Sequence, residues 1–236
     1  MSARIFQGDA RELVPDLVGI DVVITDPVWP NCPPGLLAGW EDPEGLLVGV
    51  IGSLPATVKR LVVILRSDSD PRFLRDVSKR YPFVCLQALP YVIPMYLGRV
   101  LGGTEIAYCF GEPVKVREGK RVIPMWGPKA QPCDREPNGH PCSRALIHME
   151  WLVDWWSLPG ETVLDPFCGS GTIPLAAHRL QRHGIGVEIE AKYVDLARQR
   201  IVNDAPLFAS ELADLRSRRD REAIGDDAPL LAGIGP

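Results

Sequence analysis

The 236-residue sequence has no uninterrupted apolar run of the roughly 18 to 20 residues that a membrane span requires; its longest apolar stretch, 46–58, is broken by Gly49, Gly52 and Pro55. A transmembrane helix is excluded. The apolar heart of a secretory signal is missing too, because Arg4, Asp9, Arg11, Glu12 and Asp16 occupy the first residues, and a cytoplasmic location is expected. Six cysteines are scattered with no pair at the two-residue spacing of a zinc ribbon or redox motif, which points to reduced thiols and no metal. Charge of one sign is also lacking. A net charge of -4 provides no global positive field, so nucleic acid must be held by local contacts. What is present is 46% hydrophobic against 24% charged residues, enough for a globular core and too much for a wholly disordered chain.

Periodicity gives an alternation of strands and helices, hence an α/β fold. A strand around Ile5 and Phe6 is followed by a helix over 10–17 and a buried strand over 21–25, which stops at the proline-rich turn 26–34. Residues 46–59 have helical character interrupted by glycine and proline, and 61–65 form a further buried strand. A short helix is expected over 71–79, with strands over 84–92 and 104–110. From 111 to 140 prolines, glycines and charges interrupt every period, as in a surface loop. An apolar helix is expected over 144–156, then a strand over 161–164, a helix over 173–182, a strand over 184–189 and a helix over 192–203. The Trp151, Trp155 and Trp156 cluster at helical spacing reads as core or an oligomer interface, which leaves a homodimer open, and His148 on the same helix reads as structural.

Two constellations carry chemistry. Val163-Leu164 leads through Gly169-Ser-Gly171 into a helix, and Glu188 ends the next strand about twenty residues on, the spacing of a nucleoside-binding half of a doubly wound sheet. The glycines allow close backbone approach, and a carboxylate at Glu188 can accept both hydrogen bonds of a ribose diol. The third glycine of a pyrophosphate loop is absent, which favours a cofactor without a pyrophosphate. By itself the pair of glycines equally describes a plain strand-to-helix turn. The second constellation, Asp26-Pro-Val-Trp29, follows a buried strand. A carboxylate and the Pro27 carbonyl converge there at the carboxyl edge of the sheet, and Trp29 offers a flat face for a planar substrate.

Together these residues resemble the S-adenosylmethionine-dependent, amino-methylating DNA methyltransferases of the adenine-N6/cytosine-N4 type. Asp26-Pro-Val-Trp29 is similar to their catalytic tetrapeptide, usually Asp-Pro-Pro followed by an aromatic residue, and Asp165-Pro-Phe-Cys-Gly-Ser-Gly-Thr172 to their methionine-binding loop. Gly8-Asp9, His140-Pro141 and Gly184-Ile-Gly-Val-Glu-Ile-Glu-Ala-Lys-Tyr193 resemble the adenine contact, the His-Pro element and the ribose-binding strand with its helix. The catalytic motif precedes the cofactor loop, the permuted order of the β group.

The resemblance implies a Rossmann-like, doubly wound, mostly parallel sheet in one methyltransferase domain over 1–205, with a short recognition or loop region at 111–140. A C-terminal helix and flexible tail over 206–236 complete the expected organisation. It implies catalytic roles for Asp26, Pro27 and Trp29, and cofactor roles for Asp9, His140, Asp165, Phe167, Gly169, Ser170, Gly171, Thr172 and Glu188. Lys115, Arg117, Lys120 and Arg121 are the candidate contacts to a DNA substrate, and neither a metal nor a membrane is expected. Two departures stand out: Val28 replaces the second proline, and the recognition region is short, so sequence specificity should be modest. Adenine is preferred over cytosine because relatives acting on cytosine often begin the tetrapeptide with serine. RNA or a protein amide as acceptor, and a catalytically decayed adapter, are the alternatives.

Overall fold

β-Branched and leucine side chains alternate to both faces of a strand in Val22–Thr25 and Arg60–Arg66, so each of these segments is buried on two sides and must lie inside a sheet. The computed structural model describes residues 3–92, 104–114, 123–131 and 139–204. Its strands are β1 (Ala3–Gln7), β2 (Val22–Thr25), β3 (Arg60–Arg66), β4 (Phe83–Pro90), β5 (Thr104–Gly111), β6 (Thr162–Asp165) and β7 (His183–Glu188). They form one sheet in the order β1-β7-β6-β2-β3-β5-β4, in which β5 runs antiparallel to both of its neighbours and the pairings from β1 to β3 are parallel.

The helices are α1 (Ala10–Leu13), α2 (Pro43–Ser53), α3 (Val77–Arg80), α4 (Leu146–Trp156), α5 (Thr172–Arg179) and α6 (Ala191–Asn203). Val23, Leu61, Val63 and Leu65 meet Leu47, Val50 and Ile51 of α2 on one face. On the other, Val22, Ile24, Val62 and Ile64 meet Met149, Leu152, Val153 and Trp156 of α4. Full burial of each such side chain is worth on the order of 1.5–3 kcal/mol. Trp156 and His148 are buried in this core, and the His148 imidazole Nε2 faces the Pro90 and Pro128 carbonyls at 3.1 and 2.9 Å, as expected for a structural histidine.

Several expected helices break where the backbone demands it. The helix expected over 10–17 is α1 followed by a 3-10 turn, Val14–Asp16, because Pro15 cannot continue the ladder. That expected over 71–79 is a 3-10 turn, Pro71–Leu74, and then α3. The helix expected from 144 begins at Leu146 instead: Ala145 is its extended N-cap and Arg144 lies in the preceding loop. In the 111–140 region, residues 123–131 lie along the edge strand β4, where Ala88 donates to Met125 and Gly127 donates back to Ala88. Cα proximity divides the chain into Met1–Val202 and Asn203–Pro236. Residues 205–236, including the expected C-terminal helix and tail, lie outside the described residues, as do Lys115, Arg117, Lys120 and Arg121.

The sheet fixes the site by its order. β2 leads outward to β3 on one side while β6 leads outward to β7 on the other, so the loops leaving β2 and β6 diverge from adjacent strands and open a crevice at their carboxyl ends.

Candidate active site

The loop after β6 turns tightly into α5. Gly171 N–H donates to the Cys168 carbonyl at 2.7 Å, and Gly171 caps α5 at φ 77°, a left-handed conformation that an L side chain rarely adopts. A β-carbon there would also stand 2.7 Å from that of Ala197. At Gly169, φ is 50° and a β-carbon would lie 2.8 Å from His140 Nε2. Bare backbone therefore lines the crevice at this point. From α6, Arg200 ties the loop by donating to the Ser170 carbonyl and to Thr172 Oγ1, and the Ser143 and Ser170 hydroxyls are 3.0 Å apart.

At the end of β7, Glu188 accepts from Gly169 N–H on Oε2 at 3.0 Å and from Glu190 N–H on Oε1 at 2.8 Å. Burial pushes its carboxyl up, and these backbone donors oppose the shift. Asp165 ends β6 fully buried, its Oδ1 accepting from Thr25 Oγ1 at 2.8 Å and from Phe167 N–H at 3.1 Å. Burial, with Asp26 and Glu188 nearby, pushes it up to about 8 despite those donors. His140 Nδ1 accepts from Cys142 N–H, and the ring meets Tyr193 edge-on at 4.4 Å. Burial lowers His140, so it is neutral near pH 7.

Asp26 leaves β2 beside this loop. Its Oδ1 accepts from the Trp29 indole at 3.0 Å and from Arg144 Nη2 at 2.9 Å, while Oδ2 accepts from Arg144 Nε at 2.6 Å. Arg144 Nη1 donates to Glu105 Oε1, and Tyr91 donates to Glu105 Oε2 at 2.8 Å. Burial pulls Arg144 down, but Asp26 and Glu105 outweigh it and the net shift is upward. Trp29 is only 3% exposed, and the Arg144 and Arg66 guanidinium carbons lie 5.1 and 5.9 Å from its ring centre.

One pocket collects Asp9, Asp26, Trp29 and His140 with Asp165, Phe167, Gly169, Ser170, Thr172 and Glu188. Val28, Arg144 and Tyr193 line it as well, whereas Pro27 and Gly171 are not among its lining residues. Asp9 caps α1 through Arg11 N–H and pairs with the Arg11 side chain. Arg144, Glu105 and Tyr91 were not expected from the sequence. The only hint was that Arg144 follows His140-Pro141 by three residues.

This sheet, its glycine loop and its acidic strand end define the Rossmann-like methyltransferase class of fold. Within it, residues 104–199 match the N6/N4 methyltransferase family model, described as DNA methylase, in agreement with the resemblance drawn from the motifs. The chain is 31% identical over 94 residues to the type II methyltransferase M.HpaI of Haemophilus parainfluenzae, a match covering 40% of this chain and 29% of M.HpaI. It spans about a third of the length of the curated relatives it matches. Among solved structures, the M1.HpyAVI–SAM complex is similar at a TM-score of 0.65 and 24% identity, over 84% of this chain and 98% of that one. The cytosine-N4-specific PvuII DNA methyltransferase is similar at 0.63 and 18%, over 92% and 93%. At these identities the likeness is one of fold. No helix among the described residues is long and apolar enough to cross a membrane.

Proposed function

We propose that this chain is an S-adenosylmethionine-dependent DNA methyltransferase acting on the exocyclic amino group of a flipped base, adenine N6 in preference to cytosine N4. The observation that carries the reading is that Asp26, which directly follows β2, and Glu188, ending β7, open into one pocket on either side of the glycine loop. The residues present fit the cofactor. A side chain at Gly169 would run into His140, so the loop there keeps a bare backbone beside the pocket, and Glu188, held by the Gly169 and Glu190 N–H groups, lines the same pocket with the acceptor that a ribose diol requires. The carboxylates of Asp9, Asp26, Glu188 and Glu190 outnumber the cations Arg11 and Arg144 in the pocket lining, which suits a cationic ligand.

When bound, S-adenosylmethionine supplies a methyl group on a sulfonium. The chain's own task is to present a nitrogen lone pair in line with it. An exocyclic amino nitrogen is a poor nucleophile because its pair is delocalised into the ring. Asp26 and the Pro27 carbonyl accept the two amino protons and draw that nitrogen toward tetrahedral geometry, and Asp26 is the acceptor for the proton released. Holding donor and acceptor together supplies further acceleration. The base reaches this position only when extruded from the duplex.

The test is incubation of the full chain with labelled S-adenosylmethionine and mixed genomic DNA, RNA or protein, followed by nucleoside and peptide analysis. Label in N6-methyladenine is the expected result, and label in N4-methylcytosine moves the target base. Label in RNA or protein alone, or in nothing, overturns the reading.

A further inference from the structure

Arg144 is held at three points by groups distant in sequence. Two of its nitrogens grip Asp26, a third grips Glu105, and its guanidinium lies over Trp29. The side chains of Arg144, Asp26 and Glu105 are 9%, 13% and 5% exposed, so the assembly is shielded from water. Glu105 is fixed in turn by the Tyr91 hydroxyl.

The lone pairs of Asp26 can be assigned one by one. Oδ1 accepts from Trp29 Nε1 and from Arg144 Nη2, which fills both of its acceptor positions. Oδ2 accepts from Arg144 Nε and has one position left. A carboxylate otherwise free to rotate about its Cβ–Cγ bond is thereby locked, with one oxygen engaged and the other half-open. We propose that Arg144 is a positioning residue which fixes the Asp26 carboxylate so that Oδ2 alone accepts the target amino proton, with Glu105 and Tyr91 as its anchor. This rests on the methyltransferase reading of the same pocket.

The competing possibility is a plug: a planar cation bonded to Asp26 and lying over Trp29 imitates the extruded base and swings away when the base arrives. Burial decides against it, because to leave, Arg144 would have to break its bonds to Asp26 and to Glu105 together, in a site where its own side chain is 9% exposed. The buried Arg60–Glu161 pair, by contrast, lies outside the pocket and ties β3 to the segment before β6. Arg144 instead pairs with a carboxylate that lines the pocket, Asp26.

The experiment compares the parent with Arg144→Ala, Arg144→Lys and Glu105→Gln for methyl transfer to mixed genomic DNA, cofactor affinity by calorimetry and melting temperature. Arg144→Ala should lower kcat by about 100-fold, the loss typical of one preorganised donor, with cofactor Kd nearly unchanged. Millimolar guanidinium should restore part of that rate. Arg144→Lys should fall between, because an ammonium supplies charge without the planar fork. Glu105→Gln should lower kcat by slackening the anchor. Independently of turnover, the Nε–H resonance of Arg144 in the free protein, bonded to Asp26 Oδ2, should move on Asp26→Asn. Unchanged kcat in Arg144→Ala overturns the proposal. So does a loss that tracks cofactor affinity and melting temperature without guanidinium rescue, which marks a purely structural pair. A parent chain that labels no DNA at all overturns the underlying activity and the proposal with it.

Discussion

Gly169 and Glu188, nineteen residues apart, are joined directly: the glycine N–H donates to Glu188 Oε2 at 3.0 Å, and the other carboxylate oxygen is held by Glu190 N–H. The acidic end of β7 is therefore set in orientation by the loop it faces.

Replacing Glu188 by alanine should weaken S-adenosylmethionine binding by roughly 1.5–3 kcal/mol, the worth of hydrogen bonds to a charged acceptor. That corresponds to about a 10- to 150-fold rise in Kd by calorimetry. An unchanged Kd assigns the ribose to another residue.

Asp26→Asn keeps the shape of the side chain and removes its charge. Methyl transfer should drop on the order of 10²–10⁴-fold, the range of a lost general base, while cofactor Kd stays close to the parent value. Near-parental turnover in a single-turnover assay rules out Asp26 as the acceptor.

Trp29 has two separable contributions, its ring and its indole N–H. Trp29→Phe keeps a ring against Arg144 and loses the 3.0 Å bond to Asp26, whereas Trp29→Ala loses both. Activity should fall in the order parent, Phe, Ala. If an extruded base stacks there, alanine should also cost roughly 1–3 kcal/mol of DNA affinity, and a mismatch opposite the target should tighten binding. Equal DNA affinity across the three proteins, with no mismatch effect, removes the stacking role.

Asp165 makes stability depend on pH. A free aspartate titrates near 3.8, whereas the folded chain holds this one up to about 8. The folded state thus keeps a proton that the unfolded state gives up, and the stability so gained is complete below about pH 4 and lost as pH rises towards 8. The melting temperature of Asp165→Asn relative to the parent should therefore rise between pH 4 and pH 8. A difference that is flat across that window rejects the buried neutral acid. A cationic cofactor favours the carboxylate, so binding near pH 7 should release protons, seen as a buffer-dependent binding enthalpy.

What the sequence disclosed of all this is what chemistry writes locally. Asp26, Gly169, Gly171 and Glu188 sit where a buried strand ends and a loop begins, and strand ends are visible as apolar runs that stop. Arg144 gave no such signal. It meets Asp26 across 118 residues and Glu105 across 39, and a charged side chain in a sequence looks like surface until its partners are folded around it. Trp29 was legible as an aromatic three residues after Asp26, but its 3% exposure and its bond to Asp26 depend on packing. Gly49 and Gly52 suggested an interrupted helix, yet α2 continues through both because Asp42 caps it and Leu47, Val50 and Ile51 bury one side; it ends just before Pro55.

The order of the sheet also governs how the molecule can be made. β1 is the first of the described strands in the sequence, yet its neighbour is β7, the last of them, and β6 and β7 must slot between β1 and β2. Without β6 and β7, β1 has no partner strand and β2 has an open edge, and such edges invite association with other chains. Completion depends on contacts between distant parts of the chain, which makes folding slow and late. Asp26 is synthesised long before Asp165 and Glu188 but has neither beside it until β6 and β7 are in place. The pocket therefore has no working half: a chain without β7 lacks Glu188 and leaves β1 and β6 each without the strand between them.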